Sequence, residues 1–180
     1  MKALLISIHP QWVELILNFI KKDEIRKGTA IGKAINRLIK EQGVAPTFIY
    51  CTKGNKHECL EYADNPNPNK EGKWVITSGY PYANGKVVAR FNATAEEINA
   101  TNLEKFIKDS CLTIRELEEY LWSNILSGTA IHITKLEIFT KPREISEFKV
   151  RKYEYNTPRY KVYTDYPLTR APQSWCYVEV

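Results

Sequence analysis

Lys21-Lys22-Asp23-Glu24-Ile25-Arg26-Lys27 follows directly on an apolar helical stretch. In an extended segment Glu24 and Arg26 share one face, because side chains alternate along a strand. Lys21 falls at the end of the preceding helix, where an ammonium suits the negative end of the helix dipole. A carboxylate flanked by two fixed cations can hold a polar planar ligand or move a proton. A salt-bridged strand start is the competing reading, since structural ion pairs are common.

Upstream, residues 2–8 are mostly apolar, as expected of a central strand. His9-Pro10 then opens a helix, because proline fits the first helical position. Trp12, Val13, Ile16, Leu17 and Ile20 make its apolar stripe, with Gln11, Glu14, Asn18 and Lys21 opposite. Downstream, a strand starts at 24–27, and a second helix covers 31–42, closed by Gly43. Residues 47–52 read as a buried strand. The stretch 54–73, with Asn65-Pro66-Asn67-Pro68-Asn69, reads as a turn-rich loop. Segments 74–77 and 86–93 read as strands, joined as a hairpin by Asn84-Gly85. Capping-box matches at Thr94–Glu97, Thr101–Glu104 and Thr113–Glu116 predict short helices over 95–98, 102–109 and 113–121. Residues 131–139 and 175–179 supply the last strands. Six or seven strands with several helices fit an α+β protein with a small barrel.

The 180 residues suit one domain, and 43% hydrophobic residues allow a real core. No apolar run reaches the roughly 18 residues of a membrane span. The opening apolar stretch is broken by His9-Pro10-Gln11 and Glu14 and lacks a small-residue cleavage site, so no signal peptide is expected. A cytoplasmic location follows. Cys51, Cys59, Cys111 and Cys176 then read as free, partly buried thiols. His57-Glu58-Cys59 near Cys51 lacks the tight ligand pairs of a zinc site, so neither metal nor cofactor is expected.

The net charge of +5 is modest, but its distribution is uneven. Between 149 and 170, Lys149, Arg151, Lys152, Arg159, Lys161 and Arg170 face only Glu154 and Asp165. Tyr153, Tyr155, Tyr160, Tyr163 and Tyr166 are interleaved. Cations neutralise phosphates and tyrosine rings stack on unpaired bases. A solvated hairpin whose tyrosines pack on its other face is the alternative.

The segment 19–26 resembles the G-x-K-x-x-E-x-R signature of the ASCH family, a branch of the PUA-like superfamily. Phe19 stands where the glycine belongs, with Lys21, Glu24 and Arg26 in register. Further blocks are similar and occur in the family's order: Leu4-Leu5-Ile6-Ser7-Ile8-His9-Pro10 with Val13-Glu14, Phe48-Ile49-Tyr50-Cys51-Thr52-Lys53 and Gly85-Lys86-Val87-Val88-Ala89-Arg90-Phe91. So do Ile131-His132-Ile133 through Lys141-Pro142 and Ser146-Glu147-Phe148, and Pro172-Gln173-Ser174-Trp175-Cys176-Tyr177-Val178. The resemblance implies one domain over 1–180. This would be a small, mostly closed mixed β-barrel of about six strands, flanked by helices. A loop near 54–73 and a basic, Tyr-rich insertion near 149–170 stand outside it. It also implies a cleft beside the first helix that the signature enters.

That cleft is expected to bind single-stranded RNA or a nucleotide-like ligand through Lys21, Glu24, Arg26, Tyr50, Lys53, Arg90 and Trp175. Lys149, Arg151, Lys152, Tyr153, Arg159, Tyr160 and Lys161 would form an accompanying nucleic-acid patch. Lys21 would act as a charge clamp, or as a base if desolvated. Glu24 would accept from an exocyclic amino group or relay a proton. Arg26 would hold a phosphate. Relatives that hydrolyse acylated cytidine, or RNA, imply an alternative in which Lys21 and Glu24 are catalytic. Two departures weigh against it: those hydrolases carry threonine at the position of Glu24, and many relatives carry an acid at that of Arg90. Phe19 would continue the helix or add an aromatic wall. His9 and His132 are further candidate bases, each in a block that reads as structural, and Trp12 reads as core. A phage-encoded protein-interaction factor that has lost the site is the third reading.

Overall fold

The run Lys2–Ile8 forms β1, and it is apolar on both faces because both faces are covered. Leu4, Ile6 and Ile8 enter one cluster with Val13, Ile16, Ile35 and Leu38, whereas Ala3 and Leu5 enter a second with Phe48, Val87 and Phe148. The computed structural model describes residues 1–55, 57–64, 71–78, 82–122, 127–156 and 161–180, with the backbone alone at 153–156 and 161–162.

Among those residues, four α-helices and ten strands make an α+β fold dominated by sheet. After β1 come α1 (Pro10–Leu17), β2 (Asp23–Lys27), α2 (Ala30–Gln42), β3 (Pro46–Cys51), β4 (Cys59–Ala63), β5 (Lys73–Thr77) and β6 (Val87–Ile98). Then follow α3 (Ile107–Ser110), α4 (Ile114–Leu121), β7 (Gly128–Arg143), β8 (Lys149–Asn156), β9 (Lys161–Pro167) and β10 (Trp175–Glu179). Eight strands form one sheet in the order β2-β7-β6-β3-β1-β10-β8-β9, while β4 and β5 pair separately. Only β1 and β3 run parallel, and the crossover between them carries α1, β2 and α2.

The sheet is not a closed barrel: β2 and β9 are its edges. It curls, however, so that β2 approaches β1 from the far side, where the Arg26 guanidinium donates to the Ser7 carbonyl at 2.7 Å. Bulges in β7 provide the bend. Between the pairs Arg90↔Glu137 and Asn92↔Thr134 the long strand carries an extra residue, and Lys135 there has φ 51°. Over β2 and the start of β7 lies a third apolar cluster, in which Ile25, Ile98 and Ala130 meet Phe106, Leu117 and Leu121.

Several local expectations are corrected. Helix α1 stops at Leu17, so Ile20 leaves the stripe and is exposed. Segments 74–77 and 86–93 are no hairpin. Strand β5 instead pairs with β4, inside the stretch read as loop, and β6 pairs with β3 and β7. The Asn84 side chain explains the change. It donates to the carbonyls of Lys53 and Glu58 and accepts from the Leu60 amide, tying β4 to the turn that was expected to close the hairpin. Residues 94–97 carry the Thr-x-x-Glu pattern but lie in β6, paired with β7 through Ile98↔Gly128. Of the three expected capping boxes, Thr113–Glu116 alone forms, opening α4. Segment 102–109 is a 3-10 turn, Leu103–Phe106, running into α3. Gly43 ends α2 with φ 80°, as expected.

Residues 149–170 hold a hairpin, β8–β9, at the sheet's edge. Arg159 and Tyr160, and the side chains of Tyr153 and Lys161, lie outside the described residues. None of the four cysteines is paired in a disulfide among the described residues. No described helix is long and apolar enough to cross a membrane.

Gly128, opposite Lys27 at the β2 edge, has no room for a side chain. An added Cβ would sit 2.7 Å from Leu121 Cδ2 and 2.9 Å from the Arg26 carbonyl oxygen. Overpacking of this kind costs about 1–3 kcal/mol. Gly128→Ala should therefore lower the unfolding free energy by that amount and shift the urea midpoint down accordingly. A midpoint equal to wild type would show that the α4–β2 junction yields freely.

Candidate functional site

A cavity of about 290 Å³ opens beside α1, where the end of β1, the start of β2 and α4 meet. Lys21, Glu24 and Arg26 all line it. Phe19 brings Lys21 there. It neither continues the helix nor walls the cavity: its φ is 60° and its side chain is 65% exposed. A left-handed residue at this point turns the chain sharply, and the amides of Ile20 and Lys21 both donate to the Leu15 carbonyl. Phe19 thus adopts the backbone conformation that a glycine favours. Beyond the turn, Lys21 is 3% exposed and points into the protein.

Lys21 does not end its own helix. Its Nζ donates at 2.6 Å to the carbonyl of Ser110, the last residue of α3, so the ammonium meets the C-terminus of a different helix. The same Nζ lies 3.6 Å from Glu24 Oε2 and 5.0 Å from the centre of the Trp12 ring. Burial pulls the Lys21 ammonium below its ordinary 10.5, with Glu24 pulling the other way. Glu24 is 7% exposed and sits between two cations, with Arg26 Nη2 3.0 Å from its Oε1. The Arg26 fork is further occupied by the Ser7 carbonyl and, at 3.4 Å, by Ser174 Oγ. Its Nε is buried with no hydrogen-bond partner among the described residues.

Trp12, Ile8, Leu112 and Tyr120 give the cavity apolar and aromatic walls, and His9 and Glu116 complete its polar lining. Burial raises the Tyr120 phenol above its ordinary value. Glu116 is committed to the capping box, where Thr113 Oγ1 and amide donate to its Oε2; these bonds hold its carboxyl below the usual range. Lys21 and Arg26 against Glu24 and Glu116 leave the lining formally neutral.

The other predicted residues lie elsewhere. Tyr50 is buried in the second apolar cluster, and burial raises its phenol. Arg90 points outward between Ala89 and Phe91 and pairs with Glu137 at 2.6 Å, so its charge has no bearing on the cavity. Lys53 is exposed on the loop after β3. Trp175 packs against the first cluster and edge-on to Tyr177. His132 is bound to Asp23 at 2.7 Å and stacks near Phe106. His57 faces Ser78, and no group of three or more His, Cys, Asp or Glu among the described residues is placed to hold a metal. In the hairpin, Arg151 pairs with Asp165 and Glu179, and Lys152 lies over the Tyr166 ring.

Tyr120, Glu116 and Leu112 escaped the sequence reading. Tyr120 stands four residues beyond Glu116 on α4, hence on the same helix face. The capping box was legible, but the packing of α4 against the signature was not. A larger concavity of about 670 Å³, lined by Tyr62, Trp74, Tyr82 and Phe139, holds none of the predicted residues. Among the described residues its only carboxylate is Glu61, and the clustered charge chemistry belongs to the smaller site.

No known protein-family model matches the chain, and no curated protein matches it.

Two substitutions test the geometry. Phe19→Gly should raise stability by roughly 0.5–1 kcal/mol, because glycine removes the left-handed penalty at an exposed site; a loss of stability would show that the Phe19 ring is needed. Lys21 disfavours its proton in the folded chain. Its burial cost is therefore present in full at neutral pH and relieved as pH climbs toward 10.5. Wild-type stability should accordingly rise relative to Lys21→Met over that alkaline range in urea titrations. A difference constant with pH would mean that Lys21 is not desolvated.

Proposed function

We propose that this chain binds a nucleobase or nucleoside, free or within single-stranded RNA, in the cavity beside α1. In this reading it is an RNA- or nucleotide-binding module of the ASCH type. The observation that carries the reading is the Glu24 carboxylate, fixed between Lys21 and Arg26 in a cavity walled by Trp12 and Tyr120. A carboxylate has about four acceptor sites, and its two cations leave some for an exocyclic amino group. Aromatic walls suit a flat heterocycle. The volume of about 290 Å³ lies near the low end for small-molecule sites, which suits a base better than a long ligand. The curled sheet supports a PUA-like barrel whose remaining gap is spanned by Arg26 rather than by a backbone ladder.

Neutral lining and an engaged Arg26 alter one assigned role. Arg26 positions Glu24 and braces β2 against β1, and the ligand's recognised part is its uncharged base. Nucleosides should therefore bind about as well as their monophosphates.

Hydrolysis of an acylated nucleoside or of RNA is the second reading. The desolvated Lys21 beside Glu24 favours it, since burial is how a lysine becomes a usable base. Calorimetric titration of cytidine, adenosine, uridine and acylcytidine, alongside turnover assays, separates the two. For a binder, Glu24→Gln should weaken nucleoside affinity by about 1–3 kcal/mol, the range for a hydrogen bond to a charged group. For a hydrolase, the same change should cut turnover about 10²–10⁴-fold with little effect on affinity. Failure of all four nucleosides to bind would remove the cavity from consideration as a base site.

A further inference from the structure

A second groove lies at the opposite end of β10 from the cavity. Ser174 Oγ accepts from Arg26 at the cavity, immediately before β10 begins; Tyr177 and Glu179 lie further along that strand. At about 3.3 Å per residue, the groove starts roughly 10 Å from the cavity. One wall is the outer face of α2, with Arg37 and Glu41. The other is the β8–β9 hairpin, with Arg151 and Tyr163. Its floor is laid by Lys2 and Tyr177, brought together by the pairs Lys2↔Glu179 and Leu4↔Tyr177. The space enclosed is about 260 Å³.

We propose that this groove between α2 and the β8–β9 hairpin is a track for single-stranded RNA, with Tyr177 and Tyr163 stacking on bases and Lys2, Arg37 and Arg151 meeting phosphates. The proposal rests on the reading that the chain binds RNA, and it adds a site that the cavity alone does not require. Two features carry it. Tyr163 and Tyr177 are 53% and 37% exposed, a disposition in which a ring can accept a stacked base. The groove's lining sets Lys2, Arg37 and Arg151 against Glu41 and Glu179, and the exposed face of α2 adds Lys33 and Lys40 beyond it. A cationic groove with aromatic steps holds a flexible strand without reading its sequence.

The groove's arginines are paired within the chain. Arg37 meets Glu41 at 2.7 Å, and Arg151 meets Asp165 at 2.9 Å, with the less exposed Glu179 at 3.5 Å on its other side. Both pairs are solvent-exposed, where such contacts contribute little to stability. Incoming phosphate therefore competes with a carboxylate that is easily displaced. Glu41 acts as an internal rival of RNA, so its removal should strengthen binding. A merely structural pair would not behave in this way.

The test is fluorescence polarisation of a labelled single-stranded RNA 12-mer at about 50 mM salt and above. The proteins compared are the full chain and its Arg37→Ala, Tyr177→Ala, Glu41→Gln and Glu24→Gln variants. Tyr177→Ala should weaken binding about five-fold or more. Arg37→Ala should weaken it and reduce the salt slope by about one. Glu41→Gln should tighten it. Wild-type binding that Arg37→Ala and Tyr177→Ala leave unchanged, but Glu24→Gln weakens, would overturn the groove and leave the cavity reading intact. Absence of RNA binding by wild type would overturn the groove as well. Nucleoside titration then decides the cavity by itself.

Discussion

Three buried charges hold the site end of this fold together. Glu24 is nearly out of water, and only Lys21 and Arg26 make that tolerable, since an isolated buried carboxylate would be neutralised or expelled. Each cation is anchored in turn to a carbonyl on another segment: Lys21 to Ser110 at the end of α3, Arg26 to Ser7 at the end of β1. Lys21 and Arg26 thus tie the β2 segment to α3 on one side and to β1 on the other. Removing one member would leave the others buried and uncompensated, which costs more than the lost contact. Such an arrangement contributes specificity of placement more than net stability.

The same economy shapes the cavity. With two cations balanced by two carboxylates, it offers directional hydrogen bonds in place of a strong field. Sites of that kind select by shape and donor pattern, since a missing partner leaves a buried polar group unpaired. The hairpin and the face of α2 show the opposite character. There the charges are exposed, paired loosely and interleaved with tyrosine. A pocket of buried, balanced charge and a surface of exposed, loosely paired charge thus stand at the two ends of a single short strand.

Much of this was legible in the sequence, and the limits have physical causes. The signature residues were found by their spacing, and β1, α2 and its Gly43 cap by periodicity and turn chemistry, because these depend on near neighbours. The end of α1 was misplaced because apolar Ile20 continued the stripe, while the left-handed turn at Phe19 uses a residue that rarely adopts it. Thr94–Glu97 carries the letters of a capping box, yet pairing with β7 outweighed that local preference. Arg90 was placed at the site by its block, although inward Ala89 and Phe91 force it outward by strict alternation. Tyr120 and Glu116 reach the cavity through tertiary packing of α4, which no local pattern encodes.

Strand β10 is inserted between β1 and β8, although it is the last strand in chain order. During synthesis β1 emerges well before β10 and acquires its second neighbour only when residues 175–179 follow. Until then the central strand carries an open edge of unpaired amides and carbonyls beside apolar side chains, the surface on which chains stick to one another. The pairing Lys2↔Glu179 also spans nearly the whole sequence, so closing it carries a loop entropy that helix formation and the β8–β9 pairing do not. Folding of the sheet is therefore expected to finish at β10, with a slow and aggregation-exposed interval before it.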